Sequence, residues 1–218
     1  SFSFTNTSST FTNTLPYHIP HERYEFLFSK NKIDSLQQQI NRDVGGLCYG
    51  MVSTSAMLFS NNNSIDVSDF SPNALLAKDL KLTDTSTMYG LSLQELLEVM
   101  HISQYSDISA EMRNKHKNKL NDLCNEVLKS QTGTCPPVMI TFDYIRDLDK
   151  NEYSGHALLA IRLEDNKLYV YDPNIPLSDE PYIQLEENED GEYVGWSYQH
   201  NGLQLGNLSN CDTSRNSS

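Results

Sequence analysis

Residues 155–174 read GHALLAIRLEDNKLYVYDPN, two apolar runs on either side of the polar quartet Glu164-Asp165-Asn166-Lys167. Runs rich in Leu, Ile, Val and Tyr, closed by so short a polar break, predict two antiparallel strands and a tight turn. A hairpin of this kind lays the start of its first strand beside the end of its second, so His156 comes next to Tyr171, Asp172, Pro173 and Asn174. Outward from it lie further short β-rich runs, VMITFDYI (138–145), YIQLEE (182–187) and EYVGWSYQ (192–199). The second half of the chain is therefore expected to form an antiparallel sheet.

Ahead of the punctuation Gly133-Thr134-Cys135-Pro136-Pro137 the pattern is helical. The run CYGMVSTSAMLF (48–59) has Met51, Val52, Ser55, Ala56, Leu58 and Phe59 on one broad face and predicts a buried helix. ALLAKDLKL (74–82) and LSLQELLEVMHIS (91–103) predict short helices, the second started by a capping box of Ser92 and Glu95. SAEMRNKHKNKLNDLCNEVLKS (109–130) predicts one longer amphipathic helix. The organisation expected is a polar arm over 1–16, a helical lobe over 17–132, a β-sheet lobe over 133–205 and a polar tail over 206–218, an α+β fold overall.

The 218 residues suffice for one sizeable core or for two small lobes. A net charge of −13 argues against nucleic acid as a partner, because phosphate binding needs clustered Lys and Arg. No apolar run has the length of a membrane span. Ser/Thr/Asn-rich ends without an initiator Met suggest a piece of a larger or secreted precursor, and an extracellular location is expected. Cys48, Cys124, Cys135 and Cys211 show neither a CxxC pair nor zinc spacing, so no metal and no cofactor is expected. Cys124 and Cys135 are open to two readings, a short disulfide loop or two free thiols.

Minor signals are weaker. Asp147, Asp149 and Asn151 space oxygen atoms as a calcium loop does, but Glu152 stands where a Gly belongs. The acidic run from Glu186 to Glu192 predicts a solvated hairpin tip, and the Asn-x-Ser matches at Asn6, Asn62 and Asn207 arise by chance in so Asn-rich a chain.

The chemistry concentrates elsewhere. In GGLCYGM (45–51) a thiol stands at the head of the predicted helix, where unpaired N–H groups favour negative charge, and a thiol attacks as its thiolate. Gly45 and Gly46 let the backbone approach a substrate, and the Cys48 N–H can serve as an oxyanion donor. A nucleophilic cysteine needs an imidazole to accept and return a proton. His18, His21, His101, His116 and His200 lie in polar surroundings or at a helix end and are expected at the surface, whereas His156 opens an apolar strand at a sheet rim. Asp172, next to it across the hairpin, would orient the ring and stabilise the imidazolium.

Taken together, GGLCYGM, SGHALLAI and LYVYDPN resemble the papain-like cysteine peptidases in the broad sense, whose order is Cys at a helix head, then His, then Asp or Asn on a neighbouring strand. The step of sixteen residues from His156 to Asp172 is similar to that of bacterial Cys-His-Asp members such as the peptidases that process bacteriocin leaders. The resemblance spans roughly residues 36–175. It implies a papain-like arrangement with the active site between a helical and a sheet lobe, Cys48 as nucleophile, His156 as general base and acid, Asp172 as orienter, and a protein or peptide substrate. The family's Gln shortly before the nucleophile is missing, since Arg42 stands six residues ahead of Cys48; Asn41, then Gln39, are the carboxamides expected to complete the oxyanion hole. No Asn-Ser-Trp follows the histidine as in papain; Trp196 is out of order and is expected in the core or a cleft wall. Two other functions fit the same residues: an amidase or transglutaminase-like acyl transferase, and a non-catalytic binding module in which Cys48 is a packed thiol.

Overall fold

A computed structural model of the chain describes residues 2–6, 11, 21–28, 32–33, 36, 46–60, 65–115, 119–147, 152–176, 178, 180–200 and 203–207. The chain divides into two compact units, Ser1–Met112 with Pro173–Leu177, and Arg113–Asp172 with Ser178–Ser218. The division falls at Met112, some twenty residues before the predicted lobe boundary near 132. The architecture is α+β, as the sequence predicts.

In the first unit, α1 (Cys48–Phe59) and α2 (Leu93–Ile102) carry the core. Ser92 starts α2 as predicted: its Oγ accepts the Glu95 N–H at 3.2 Å, and a Glu95 carboxylate oxygen accepts the Ser92 N–H at 2.7 Å. Met51 and Ile65 pack against Leu93 and Leu97, joined by Phe2 and Phe11 from the N-terminal arm. α1 is only partly the buried helix expected. Tyr49 to Val52 are buried with Thr54 and Ser55, but Phe59 at its C-terminal end is exposed. The run from Ala74 forms a single turn of 3-10 helix, Ala77–Asp79, with Leu75 and Leu76 exposed beside it.

His101 departs from expectation. It is buried rather than at the surface, and burial alone pushes its pKa down to about 4. A histidine held neutral in the fold but protonated near pH 6.5 once unfolded adds stability above pH 6.5 that disappears as the pH falls to about 4. The full loss is on the order of 3 kcal/mol. Urea midpoints at pH 7, 5 and 4 are expected to fall more steeply for the wild type than for His101→Gln; parallel curves would exclude His101 as the cause.

The second unit is a six-stranded antiparallel meander, β1 (Val138–Asp147), β2 (Glu152–Glu164), β3 (Lys167–Tyr171), β4 (Tyr182–Glu187), β5 (Tyr193–His200) and β6 (Leu203–Asn207), each paired with the next. The sheet curls over a helix expected from the sequence as the second half of one longer helix. The run 109–130 is broken into α3 (Asp107–Lys115) and α4 (Leu120–Gln131). Lys119, the residue before α4, has left the helical conformation at φ −119° and ψ 68°, while residues 116–118 lie outside the described residues.

α4 lays Cys124 and Val127 on Phe142, Leu158, Leu168, Val170, Ile183, Leu185 and Tyr198. Asn121 at its start clips β5 in both directions, accepting the Tyr193 N–H at 2.8 Å and donating to the Tyr193 carbonyl at 3.1 Å. Cys124 and Cys135 are free thiols, so the disulfide reading is set aside; Cys135 donates instead to the Glu126 carbonyl. The acidic tip between β4 and β5 is solvated as expected and turns through Gly191 at φ +79°.

The predicted hairpin is β2–β3. Asp165 and Asn166 both take positive φ, 48° and 60°, which matches the twist of a two-residue turn to that of the strands. Its register then shifts. Glu164, Leu163 and Arg162 face Lys167, Leu168 and Tyr169, whereas Ala160 and Leu159 face Val170 and Tyr171, leaving Ile161 as an extra residue. Facing residues in an antiparallel pair share a side of the sheet. Carried on by one residue, the shifted register sets Asp172 across from Leu158, on the same side as His156. Without the bulge Asp172 would face Leu159, and His156 would point to the other side.

Candidate functional site

Two constellations bear chemistry, one in each unit. In the sheet unit His156 and Asp172 meet as predicted, Nε2 of the imidazole 2.8 Å from Oδ1 of the carboxylate. Both are buried, 5% and 1% exposed, so the pair is not at the exposed sheet rim that the sequence suggested for His156. Burial strengthens the pairing, because water does not compete for either partner. Phe142, across the β1–β2 ladder from His156, sets its ring edge-to-face against the imidazole with centroids 5.9 Å apart.

A third member, not expected from the sequence, joins the pair. Tyr198 on β5 donates its hydroxyl to Asp172 Oδ2 at 2.5 Å and is itself buried. Burial, and then the adjacent Asp172 charge, raise the Tyr198 pKa, so it stays a neutral donor. Asp172 is thus held at both oxygens. With Nε2 donating to the carboxylate, neutral His156 carries its lone pair on Nδ1, the nitrogen then able to take a proton. The signal for Tyr198 was period two: Trp196 and Tyr198 share the inward side of β5, and both rings stand against Phe142. Trp196 is partly buried and packs against the sheet core, near one of the two places expected for it.

In the helical unit Cys48 is the first residue of α1, as predicted, and is partly exposed. The chain enters that helix under an unforeseen constraint. Asn6, from the polar arm, accepts the Leu47 N–H on its side-chain Oδ1 at 2.5 Å and donates Nδ2–H to Asn174 Oδ1 at 2.9 Å. Its own backbone N–H donates to the Pro173 carbonyl at 2.8 Å. A Cβ on Gly46 would stand 2.4 Å from Asn6 Oδ1, so the glycine is there to admit this side chain. Nothing in the local sequence around Asn6 signals the role; it looked like one more Asn in a low-complexity arm.

The expected oxyanion carboxamides Asn41 and Gln39 lie outside the described residues, as do Arg42, Gly45, His18 and His116. Of the calcium-loop candidate, Asp149 and Asn151 do too. Among the described residues no cluster of three or more His, Cys, Asp or Glu could hold a metal ion, and no helix is long and apolar enough to cross a membrane.

No family model matches the chain, and no curated protein or solved structure matches it.

Proposed function

We propose that the protein is a papain-like cysteine peptidase, with Cys48 as nucleophile, His156 as general base and acid, and Asp172 as orienter. The observation that carries this reading is the buried His156–Asp172 pair, a carboxylate fixed on Nε2 so that Nδ1 is the basic nitrogen. A buried His–Asp pair fixed in one tautomer is what acyl-transfer chemistry requires of its base. A cysteine at the head of α1 supplies the complementary half.

The reaction proposed is acyl transfer. Nδ1 takes the thiol proton, Cys48 Sγ bonds to a peptide carbonyl carbon, and the C–N bond breaks as His156 gives its proton to the departing amine. Water then attacks the thioester with His156 again as base, releasing the acid and restoring the thiol.

The test is alkylation of the native protein by iodoacetamide at pH 6, with the modified cysteine assigned by mass spectrometry. Cys48 is expected to label first. Cys124 is the internal reference for an inert thiol, since burial raises its pKa to about 11. His156→Ala is expected to slow Cys48 labelling at least tenfold and to leave Cys135 labelling unchanged. Labelling of Cys48 that ignores His156 would overturn the peptidase reading in favour of a binding module with a packed thiol. Transfer of an acyl group to added amine in preference to water would redirect it to a transglutaminase-like enzyme.

A further inference from the structure

We propose that Asn6 is a catalytic residue, its carboxamide N–H donating to the oxyanion that forms when Cys48 attacks a carbonyl; this rests on the cysteine peptidase reading. The assignment starts from the hydrogen bond at Leu47, the residue immediately before the nucleophile. A backbone N–H only donates, so the Asn6 atom 2.5 Å from Leu47 N must be the oxygen, and the amide nitrogen is the atom facing Asn174. The carboxamide is therefore fixed in orientation, not merely present.

Three hydrogen bonds hold Asn6: Leu47 N–H to its Oδ1, its Nδ2–H to Asn174 Oδ1, and its own backbone N–H to the Pro173 carbonyl. Nδ2 carries two N–H bonds, and the bond to Asn174 uses one of them. The second lies in the same amide plane, which the Leu47 and Asn174 contacts fix beside the residue that precedes Cys48. The bond from the Leu47 N–H needs only an acceptor and the bond to Asn174 needs one amide N–H, so neither accounts for the other N–H of the carboxamide. A carboxamide anchored through its oxygen and steered through one N–H is the arrangement that presents the other N–H in a fixed direction. Gly46, which a Cβ would push into this side chain, keeps the approach open.

In the step itself Cys48 Sγ⁻ bonds to the carbonyl carbon and the C=O π pair moves onto oxygen. The Asn6 N–H and the Cys48 N–H stabilise that charge until it re-forms the carbonyl as the C–N or C–O bond to the leaving group breaks. Donors preset at such an oxygen contribute on the order of 10²–10³ in rate each.

Two reactions of the same thiol separate this role from a structural one. Iodoacetamide alkylation is a direct displacement of iodide with no oxyanion, whereas hydrolysis of N-benzyloxycarbonyl-glycine p-nitrophenyl ester passes through one. Asn6→Asp keeps an acceptor for the Leu47 N–H and removes both amide N–H bonds; Asn6→Ala removes both functions. Both variants are expected to lose about 10²–10³ in kcat for the ester, with KM within threefold, and to alkylate at Cys48 within twofold of the wild-type rate. Ester hydrolysis and alkylation falling together would make Asn6 a support of the helix head and overturn the proposal, as would ester kcat unchanged in Asn6→Asp. A wild type that hydrolyses no ester although Cys48 alkylates in a His156-dependent way refutes the oxyanion role alone. A wild type that fails both removes the peptidase reading and this assignment with it.

Discussion

Asp172→Asn is expected to lower ester turnover by about 10⁴-fold while leaving the far-UV circular dichroism and melting temperature close to wild type. The two side chains have nearly the same volume, so packing is preserved; what changes is the count of acceptors. Asp172 accepts from His156 Nε2 and from the Tyr198 hydroxyl, one on each oxygen. An asparagine offers one oxygen. Tyr198 stays a neutral hydroxyl and is expected to keep donating, as it does to Asp172 Oδ2, and so takes the oxygen. The amide nitrogen then faces Nε2, which must become the acceptor, and the ring proton moves to Nδ1. The imidazole thereby loses its lone pair at Nδ1, the nitrogen proposed above as the base.

Adding Tyr198→Phe to Asp172→Asn frees the asparagine to turn its oxygen to His156 and restore the working tautomer. The double variant is expected to recover at least tenfold over Asp172→Asn, and ¹⁵N shifts of His156 report the tautomer directly. A double variant no faster than the single one would show that Tyr198 does not set the asparagine's orientation.

The largest effect on stability is expected from Gly50→Ala. α1 approaches α2 so closely here that an added Cβ would stand 2.0 Å from the Leu97 carbonyl oxygen and 3.1 Å from the His101 Cβ. A mid-helix carbonyl is not the movable end of a flexible side chain, so the helices must part or tilt, and Met51, Leu93 and Leu97 lose packing with them. Alanine's better helix propensity returns only about 1 kcal/mol. Overpacking of this kind costs about 3 kcal/mol or more, roughly a 10 °C fall in melting temperature for a chain of this size. A melting temperature within 2 °C of wild type would show that the interface yields easily. The same contact explains why a glycine sits inside the first turn of a helix, where propensity alone would disfavour it.

Much of the site was legible because the signals are local. A small residue class, a tight turn and a strand period are read within about twenty residues, and these placed Cys48 at the head of α1 and His156 against Asp172. The capping box at Ser92 and Glu95 is of the same kind, since both partners lie within one turn. Even the hairpin, though, was legible only in outline. Adjacency of His156 and Asp172 follows from a two-residue turn, but their sharing one side of the sheet depends on the extra residue at Ile161, and no feature of the AIR tripeptide announces a bulge.

By itself, then, the sequence determined which residues are close along the chain or one hairpin apart: the helix that begins at Cys48, the β2–β3 turn, and the order of helices before strands. Tertiary structure decided what comes from far away. Tyr198 reaches Asp172 across 26 residues, Asn6 reaches Leu47 across 41 and Asn174 across 168, and His101 is buried where α2 meets α1. The physical reason is common to all of these. A short-range pattern is repaid by the backbone hydrogen bonds of its own element, whereas a single long-range polar contact is favourable only after packing has excluded water from both ends. No local pattern therefore names its partner, even where, as for Tyr198, the strand period turns the side chain inward.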